Sequence, residues 1–296
     1  MKLPPLRPRS AGPVLAALPA ARSAVARLAP ARPTAVAYVV AAATTSLGAL
    51  LPDDRLHAAT KHLVAPLAAL DVVARPAAWA AGRRTTTATL LVALTGSAVG
   101  DHLMLAESRS KGAVARRHMR RGAAAFAVQQ LGFLTLMHAR DQRFTPRTVV
   151  AGVTTLAALA TLDHVATQRD SHPPAASDVD TPRAASAPGV AGVPSTVHEP
   201  RTPDESSATL PDPVVATYGA LLVAMAVLAQ DDARTARGGA VFLASDALIV
   251  ARQLLPHGRL RRAADTLVMA TYTAALAILV DALAADDTAP ARRRRG

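Results

Sequence analysis

The chain has 296 residues, 51% of them hydrophobic and only 18% charged, against about a quarter charged in soluble domains. It contains no cysteine, which excludes a disulfide framework, a thiolate zinc site and a cysteine nucleophile. Aromatics at 3% exclude a stacking platform for single-stranded nucleic acid, and the mean hydropathy of +0.23 averages very polar and very apolar stretches, as in a membrane protein.

The net charge of +12 invites a nucleic-acid partner until its placement is read. Lys2, Arg7, Arg9, Arg22, Arg27 and Arg32 occupy an N-terminal arm, and Arg292, Arg293, Arg294 and Arg295 end the chain. The other basic residues cluster between apolar runs and not along one amphipathic face. Basic segments bracketing hydrophobic spans suit anionic headgroups and the insertion machinery. The partners expected are therefore a lipid bilayer and a membrane lipid, with no nucleic acid.

A helix needs about 20 mostly apolar residues to cross the hydrocarbon layer. In chain order, 1–33 is polar and punctuated by proline, and reads as a disordered basic arm. Its apolar 11–21 stretch is short, lies far from the terminus and lacks a clear cleavage site, unlike a signal peptide. Apolar runs follow at 34–51, 60–75, 86–106, 122–139 and 147–166, then at 212–230, 238–255 and 263–285. The fold class predicted is an all-α membrane protein, a polytopic bundle of about eight transmembrane helices over 34–285. Segment 167–211 carries proline, serine and acidic residues without apolar periodicity, and is expected to be a disordered polar loop. Residues 286–296 form a basic tail. Basic termini and an even helix count place both ends in the cytoplasm, in a bacterial cell membrane.

A carboxylate inside a spanning helix costs about 2.5–3.5 kcal/mol on insertion scales, so its presence asks for a reason. Asp101 follows Gly100 and Asp246 follows Ser245, each among apolar turns. One reading makes them buried aspartates hydrogen-bonded to hydroxyls or neutralised by Lys61. The other makes them a general acid and a general base facing one cavity, since two carboxyl groups in different environments can differ in protonation. Lys61 reads as a lysine snorkelling from a helix end, as a phosphate-binding cation, or as an aspartate partner. His62 and His102 could join the aspartates around a metal, but no HxxxH or HExxH spacing supports that, and no cofactor is expected. Ser97 and Ser245 lack a nucleophile elbow. Tyr218 and Tyr272 read first as packed bundle residues. Asp71 and Asp163 lie near helix ends within reach of headgroup water, and Asp281 sits deeper in the last run without a small neighbour.

Five pieces in order resemble the YhhN-type lysoplasmalogenase family of multi-pass membrane proteins. They are Thr60-Lys61; Gly100-Asp101-His102-Leu103-Met104-Leu105; Gly122-Ala123-Ala124-Ala125-Phe126; Tyr218 through Met225; and Gly239 through Asp246 with Met269-Ala270-Thr271-Tyr272. The resemblance covers residues 34–285 apart from the 167–211 insert. It implies an eight-helix bundle that cleaves the vinyl ether of lysoplasmalogens to a fatty aldehyde and a glycerophospho-headgroup. It also implies Asp101 and Asp246 as the essential catalytic pair, with Lys61, Ser245, Tyr218 and Tyr272 as substrate-binding candidates.

Three positions depart from the family pattern. Gln130 stands where a histidine is usual four residues after the phenylalanine, Leu276 where a glutamine is usual after the tyrosine motif, and His62 where a proline follows the lysine. The alternatives to a hydrolase are a non-catalytic lipid-binding or structural protein on the same scaffold, or a small transporter. A transporter would be expected to show an internal repeat, and 34–166 and 212–285 show no convincing one.

Overall fold

The computed structural model describes residues 32–51, 53–171, 212–256 and 258–285. The basic arm, the 172–211 part of the predicted loop and the C-terminal tail lie outside the described residues. The described residues form eight α-helices and no strand: α1 Pro33–Gly48, α2 Arg55–Val73, α3 Arg84–Ser108, α4 Gly112–His138, α5 Pro146–Ser171, α6 Pro213–Ala229, α7 Ala233–Ala251 and α8 Arg259–Ala284. Short 3-10 turns at Pro76–Trp79 and Arg252–Leu254 sit in two of the connections.

Local chemistry sets several of the starts. Proline opens α1, α5 and α6, where its missing N–H is no loss and its fixed φ already suits the helix. Asp212 accepts from the Val214 amide at 2.9 Å and Asp232 from the Arg234 amide at 2.9 Å, each satisfying one of the donors that a helix start leaves unpaired.

Neighbours in sequence pack antiparallel, α1 on α2, α3 on α4 and α7 on α8, while α4 also packs on α6. Helix α8 is central, touching α1, α2, α3, α4 and α7; α5 rests at the margin against α6 and α7. The core runs through Val64, Leu90, Leu94, Phe133, Met137, Met225, Phe242, Leu276, Leu279 and Leu283. Close approach of α3 and α4 depends on the Gly96-x-x-x-Gly100 pair. A Cβ on Gly96 would stand 2.7 Å from the Ala125 carbonyl oxygen, so only glycine admits this spacing, the small-residue packing common between membrane helices.

Two boundaries differ from the sequence expectation. Helix α4 begins at Gly112 and not near 122, so Arg116, Arg117, Arg120 and Arg121 stand on a helix and not in a loop. Arginine is a good helix former, and an apolar run marks only the apolar part of a helix. Helix α5 likewise continues to Ser171, through the first residues of the expected loop.

The antiparallel order brings the first described residues and the end of α8 to one end of the bundle. There Arg75 lies 2.8 Å from Asp71 and 3.0 Å from Asp281, and Thr34 donates to Asp71 at 2.8 Å. Asp71 is therefore buried and saturated, not lying in headgroup water as its place near a helix end suggests, while Asp281 is exposed beside the same arginine. Arg140 donates to the carbonyls of Ala282, Leu283 and Ala285 at 2.8–3.0 Å, and Arg83 to those of Ala284 and Ala285. These are the carbonyls that the C-terminus of α8 leaves without intrahelical donors, at the negative end of its dipole.

Two helices, α3 and α8, are long and apolar enough to cross a membrane. Large apolar side chains also point outward around the bundle. Leu56, Leu63 and Leu70 form an exposed seven-residue stripe on α2, Val92 and Val99 another on α3, and Leu260 and Leu267 a third on α8.

Candidate functional site

The polar residues singled out from the sequence meet in the half of the bundle away from the arginine-capped end. Asp101 lies on the last third of α3 and is 2% exposed. It faces inward because the i, i+4 rows on this side of α3 carry Ala93, Ser97 and Asp101, all buried. Two other helices then converge on its carboxylate. Lys61 of α2 brings its Nζ to 3.5 Å from Oδ1. The Tyr272 hydroxyl of α8 donates to Oδ2 at 2.9 Å and shares a 2.5 Å hydrogen bond with Ser97 Oγ.

Asp246, on the C-terminal half of α7, has a simpler environment. The Tyr218 hydroxyl of α6 donates to its Oδ2, no cation pairs with it among the described residues, and both side chains keep some exposure. The two aspartate–tyrosine pairs are joined by one ring. Phe126 of α4 sits 6.2 Å from Tyr218 and 6.4 Å from Tyr272 between centroids, edge-on to the latter. Gly100 makes room for it, since a Cβ there would come within 2.8 Å of the phenyl carbons. Phe242 closes the other side of Tyr272 at 5.8 Å.

The remaining candidates are placed differently. Ser245, adjacent to Asp246, is turned toward α8, donating to the Val268 carbonyl at 3.0 Å. The structure does not bring it to either carboxylate. His62 and His102 stack on each other at 5.3 Å, with His102 exposed on the side of α3 away from Asp101. Among the described residues no three His, Asp or Glu come together as a metal site would require. Leu276, one turn beyond Tyr272, is fully buried in the apolar core.

Four residues of this region were not site candidates in the sequence. Tyr38 of α1 donates to the Thr273 carbonyl at 2.6 Å, so all three tyrosines of the chain commit their hydroxyls around this region. Ser97 lies one helical turn before Asp101, a spacing that was open to reading. Gln129 and Gln130 are fully buried on α4, and among the described residues their amides make no hydrogen bond of ordinary geometry. Gln130 lies beside the Tyr218 hydroxyl, one turn from Phe126, and can offer a donor and an acceptor to a water or a polar substrate group.

Two carboxyl groups on separate helices, each held by a phenol and only one beside a cation, are equipped for proton transfer in a site walled by aromatic rings. Neither a curated protein nor a solved structure matches the chain. The model of the YhhN family matches residues 56–176 and 197–283, more than half of the chain, and takes in Lys61, Asp101, Phe126, Gln130, Tyr218, Asp246 and Tyr272. By that match, the chain belongs to the YhhN family.

Proposed function

We propose that the protein is an integral membrane hydrolase that cleaves the vinyl ether bond of lysoplasmalogen-type ether lysophospholipids. Membership of the family supports a lysoplasmalogenase-like activity, and one observation carries the reading to these residues: Asp101 and Asp246 form two separately held carboxyl sites joined through Phe126. Vinyl ether hydrolysis starts with a proton added to the alkene carbon β to the ether oxygen, which leaves an oxocarbenium ion. Water adds to that ion and gives up a proton, and the hemiacetal falls apart to a fatty aldehyde and the glycerophospho-alcohol. One acid and one base or charge stabiliser serve this sequence, as two carboxyls do in glycoside cleavage.

The surroundings divide the roles. The Asp101 carboxylate has Lys61 and the Tyr272 hydroxyl to hold its charge, so it is the anion that steadies the oxocarbenium ion and takes the water proton. Asp246 has a hydrogen bond from Tyr218 but no cation among the described residues, and an unpaired charge in an apolar site is costly. It is therefore the protonated donor, and its partial exposure lets an alkene reach it. Lys61, Tyr218 and Tyr272 hold the two carboxyls, and Gln130 stands ready to orient water.

The bundle over 34–285 spans a bilayer in this proposal, with the exposed leucine and valine stripes meeting lipid tails, since a soluble monomer rarely shows so much apolar surface. With both termini cytoplasmic, the arginine-capped end faces the cytoplasm and the site opens toward the other leaflet.

The test is aldehyde release from a lysoplasmalogen by the purified protein in detergent, with Asp101→Asn and Asp246→Asn beside it. Each substitution should lower kcat by about 10²–10⁴-fold; Asp246→Asn should change the melting temperature little, whereas Asp101→Asn also leaves Lys61 without its anion and should lower it. Release that survives both substitutions would defeat the acid–base assignment. No release from folded wild-type protein would defeat the hydrolase reading and favour lipid binding without turnover.

A further inference from the structure

The four arginines of α4 raise a question that the aspartate pair does not answer. Arg116, Arg117, Arg120 and Arg121, all exposed, line an open surface cavity of about 460 Å³ with Ala113, Ala124 and Val214. Arg120 is tied to Asp212 at 3.0 Å, which fixes the start of α6 beside α4. Arg116, Arg117 and Arg121 make no ion pair among the described residues. Three guanidinium groups on neighbouring turns of one helix repel one another, and among the described residues none has a carboxylate to offset that repulsion. Guanidinium forks match phosphate oxygens in charge and geometry.

The position of the cavity relative to the aspartates is set by helix geometry. Val214 lines the cavity, and Tyr218, which holds Asp246, lies four residues further on the same face of α6. Four residues advance a helix by about 6 Å. In a lysoplasmalogen, five bonds separate phosphorus from the vinyl ether oxygen, an extended reach of about 6 Å at these bond lengths. Arg121 precedes Phe126 by five residues, about 7.5 Å along α4, so a lipid whose phosphate sits among the arginines has its alkenyl chain on the side of Tyr218 and Asp246.

We propose that this cavity is the headgroup subsite: Arg116, Arg117 and Arg121 bind the phosphate of the lysolipid, and the alkenyl chain runs from there past Tyr218 to the aspartates. The proposal rests on the hydrolase reading for its orientation, while phosphate recognition stands on the cavity alone. Substrate then enters from the end of the bundle opposite the arginine-capped one, and an alkenylglycerol without phosphate is a poor ligand.

Binding and turnover test it separately. The folded protein in a nonionic detergent is titrated with a 1-O-alkyl lysophosphatidylcholine, which carries no vinyl ether to cleave, and with the corresponding 1-O-alkylglycerol. Wild type should bind the phospholipid at least about tenfold more tightly, and Arg117→Gln/Arg121→Gln should bring the ratio near one, leaving alkylglycerol binding unchanged. Because these side chains are exposed, the fold should survive; Arg121→Gln alone, with a smaller loss, serves if the double variant misfolds. Glycerol 3-phosphate and inorganic phosphate are added as competitors. Displacement only by the phosphorylated lipid assigns the site to a lipid headgroup, whereas equal displacement by inorganic phosphate overturns that assignment in favour of a free-phosphate site. A binding ratio that the double variant leaves unchanged overturns the subsite itself. In the turnover assay the double variant should raise KM for the lysoplasmalogen about tenfold with kcat within about threefold of wild type. If wild type binds the phospholipid preferentially and releases no aldehyde, the hydrolase reading fails and the phosphate site stands.

Discussion

At the end of the bundle that gathers α1 and the close of α8, Arg75, Arg83 and Arg140 are engaged by carboxylates and backbone carbonyls. At the opposite end, Arg116, Arg117 and Arg121 face a cavity with no acidic partner among the described residues. The same side chain serves two purposes here. In the first setting it closes the orphan carbonyls of a helix terminus and stitches α1, α2, α4 and α8 together. In the second it stands beside a half-bundle whose carboxyls, phenols and amides are held on six helices. The contrast separates polar groups that hold the fold from polar groups to which the proposed function assigns the chemistry.

The largest expected effect lies in the second half. Lys61→Met would leave Asp101 buried without its cation, and removing one partner of such a pair costs about 3–5 kcal/mol. Turnover should fall about 100-fold or more, and Lys61→Arg should restore part of it. Kinetics beside chemical denaturation would show both losses. If Lys61→Met lost stability alone, Asp101 would belong with the structural ion pairs, and the contrast between the ends would collapse. Arg140→Ala should do the reverse. It strips three charged hydrogen bonds from the end of α8 and should cost about 3 kcal/mol of stability, with KM and kcat at their wild-type values in the folded protein.

The two halves were unequally legible in the sequence. Helices α3 and α8 lie close to their apolar runs because each carries enough hydrophobic residues to mark both ends. Asp101 and Asp246 stand out because a carboxyl in such a run is costly. Tyr38 and Ser97 did not, since a hydroxyl in an apolar helix is cheap and says nothing of its partner. Arg83 and Arg140 read as loop charges, for their acceptors are main-chain carbonyls 201 and 142 residues away, and a carbonyl has no signature in sequence. Ser245, a substrate-binding candidate in the sequence, turns to α8 although it adjoins Asp246, because consecutive helical residues point about 100° apart.

A smaller effect tests how the two aspartate–tyrosine pairs are joined. In Gly100→Ala the new methyl would meet the Phe126 ring at 2.8 Å. The ring can move, at an overpacking cost of about 1–3 kcal/mol, but it then loses its fit against Tyr218 and Tyr272. A roughly tenfold drop in kcat with KM little changed is expected, and Gly100→Ala combined with Phe126→Leu should recover stability without recovering rate. Full activity in Gly100→Ala would show that Phe126 is packing alone, and the aspartates would then have to be coupled through something other than that ring.

The smallest effect decides where the boundary between the two kinds of polar group runs within α7. Ser245 and Asp246 are neighbours in sequence, yet the Ser245 hydroxyl is buried and donates to the Val268 carbonyl, a bond between α7 and α8 of the same kind that arginines make at the capped end. Ser245→Ala removes one neutral hydrogen bond, and the Val268 carbonyl loses its extra donor, so about 1 kcal/mol of stability should go. Because the hydroxyl points away from both carboxyls, kcat and KM for the vinyl ether should be unchanged, in contrast to Asp246→Asn one residue on. A raised KM in Ser245→Ala at unchanged stability would mean that the hydroxyl leaves Val268 to meet the substrate, and would extend the chemical half of the molecule by one residue along the helix. The expected result, a stability loss with intact kinetics, makes α7 a helix whose adjacent residues serve the two halves separately: Ser245 clasps α8, and Asp246 faces the alkene.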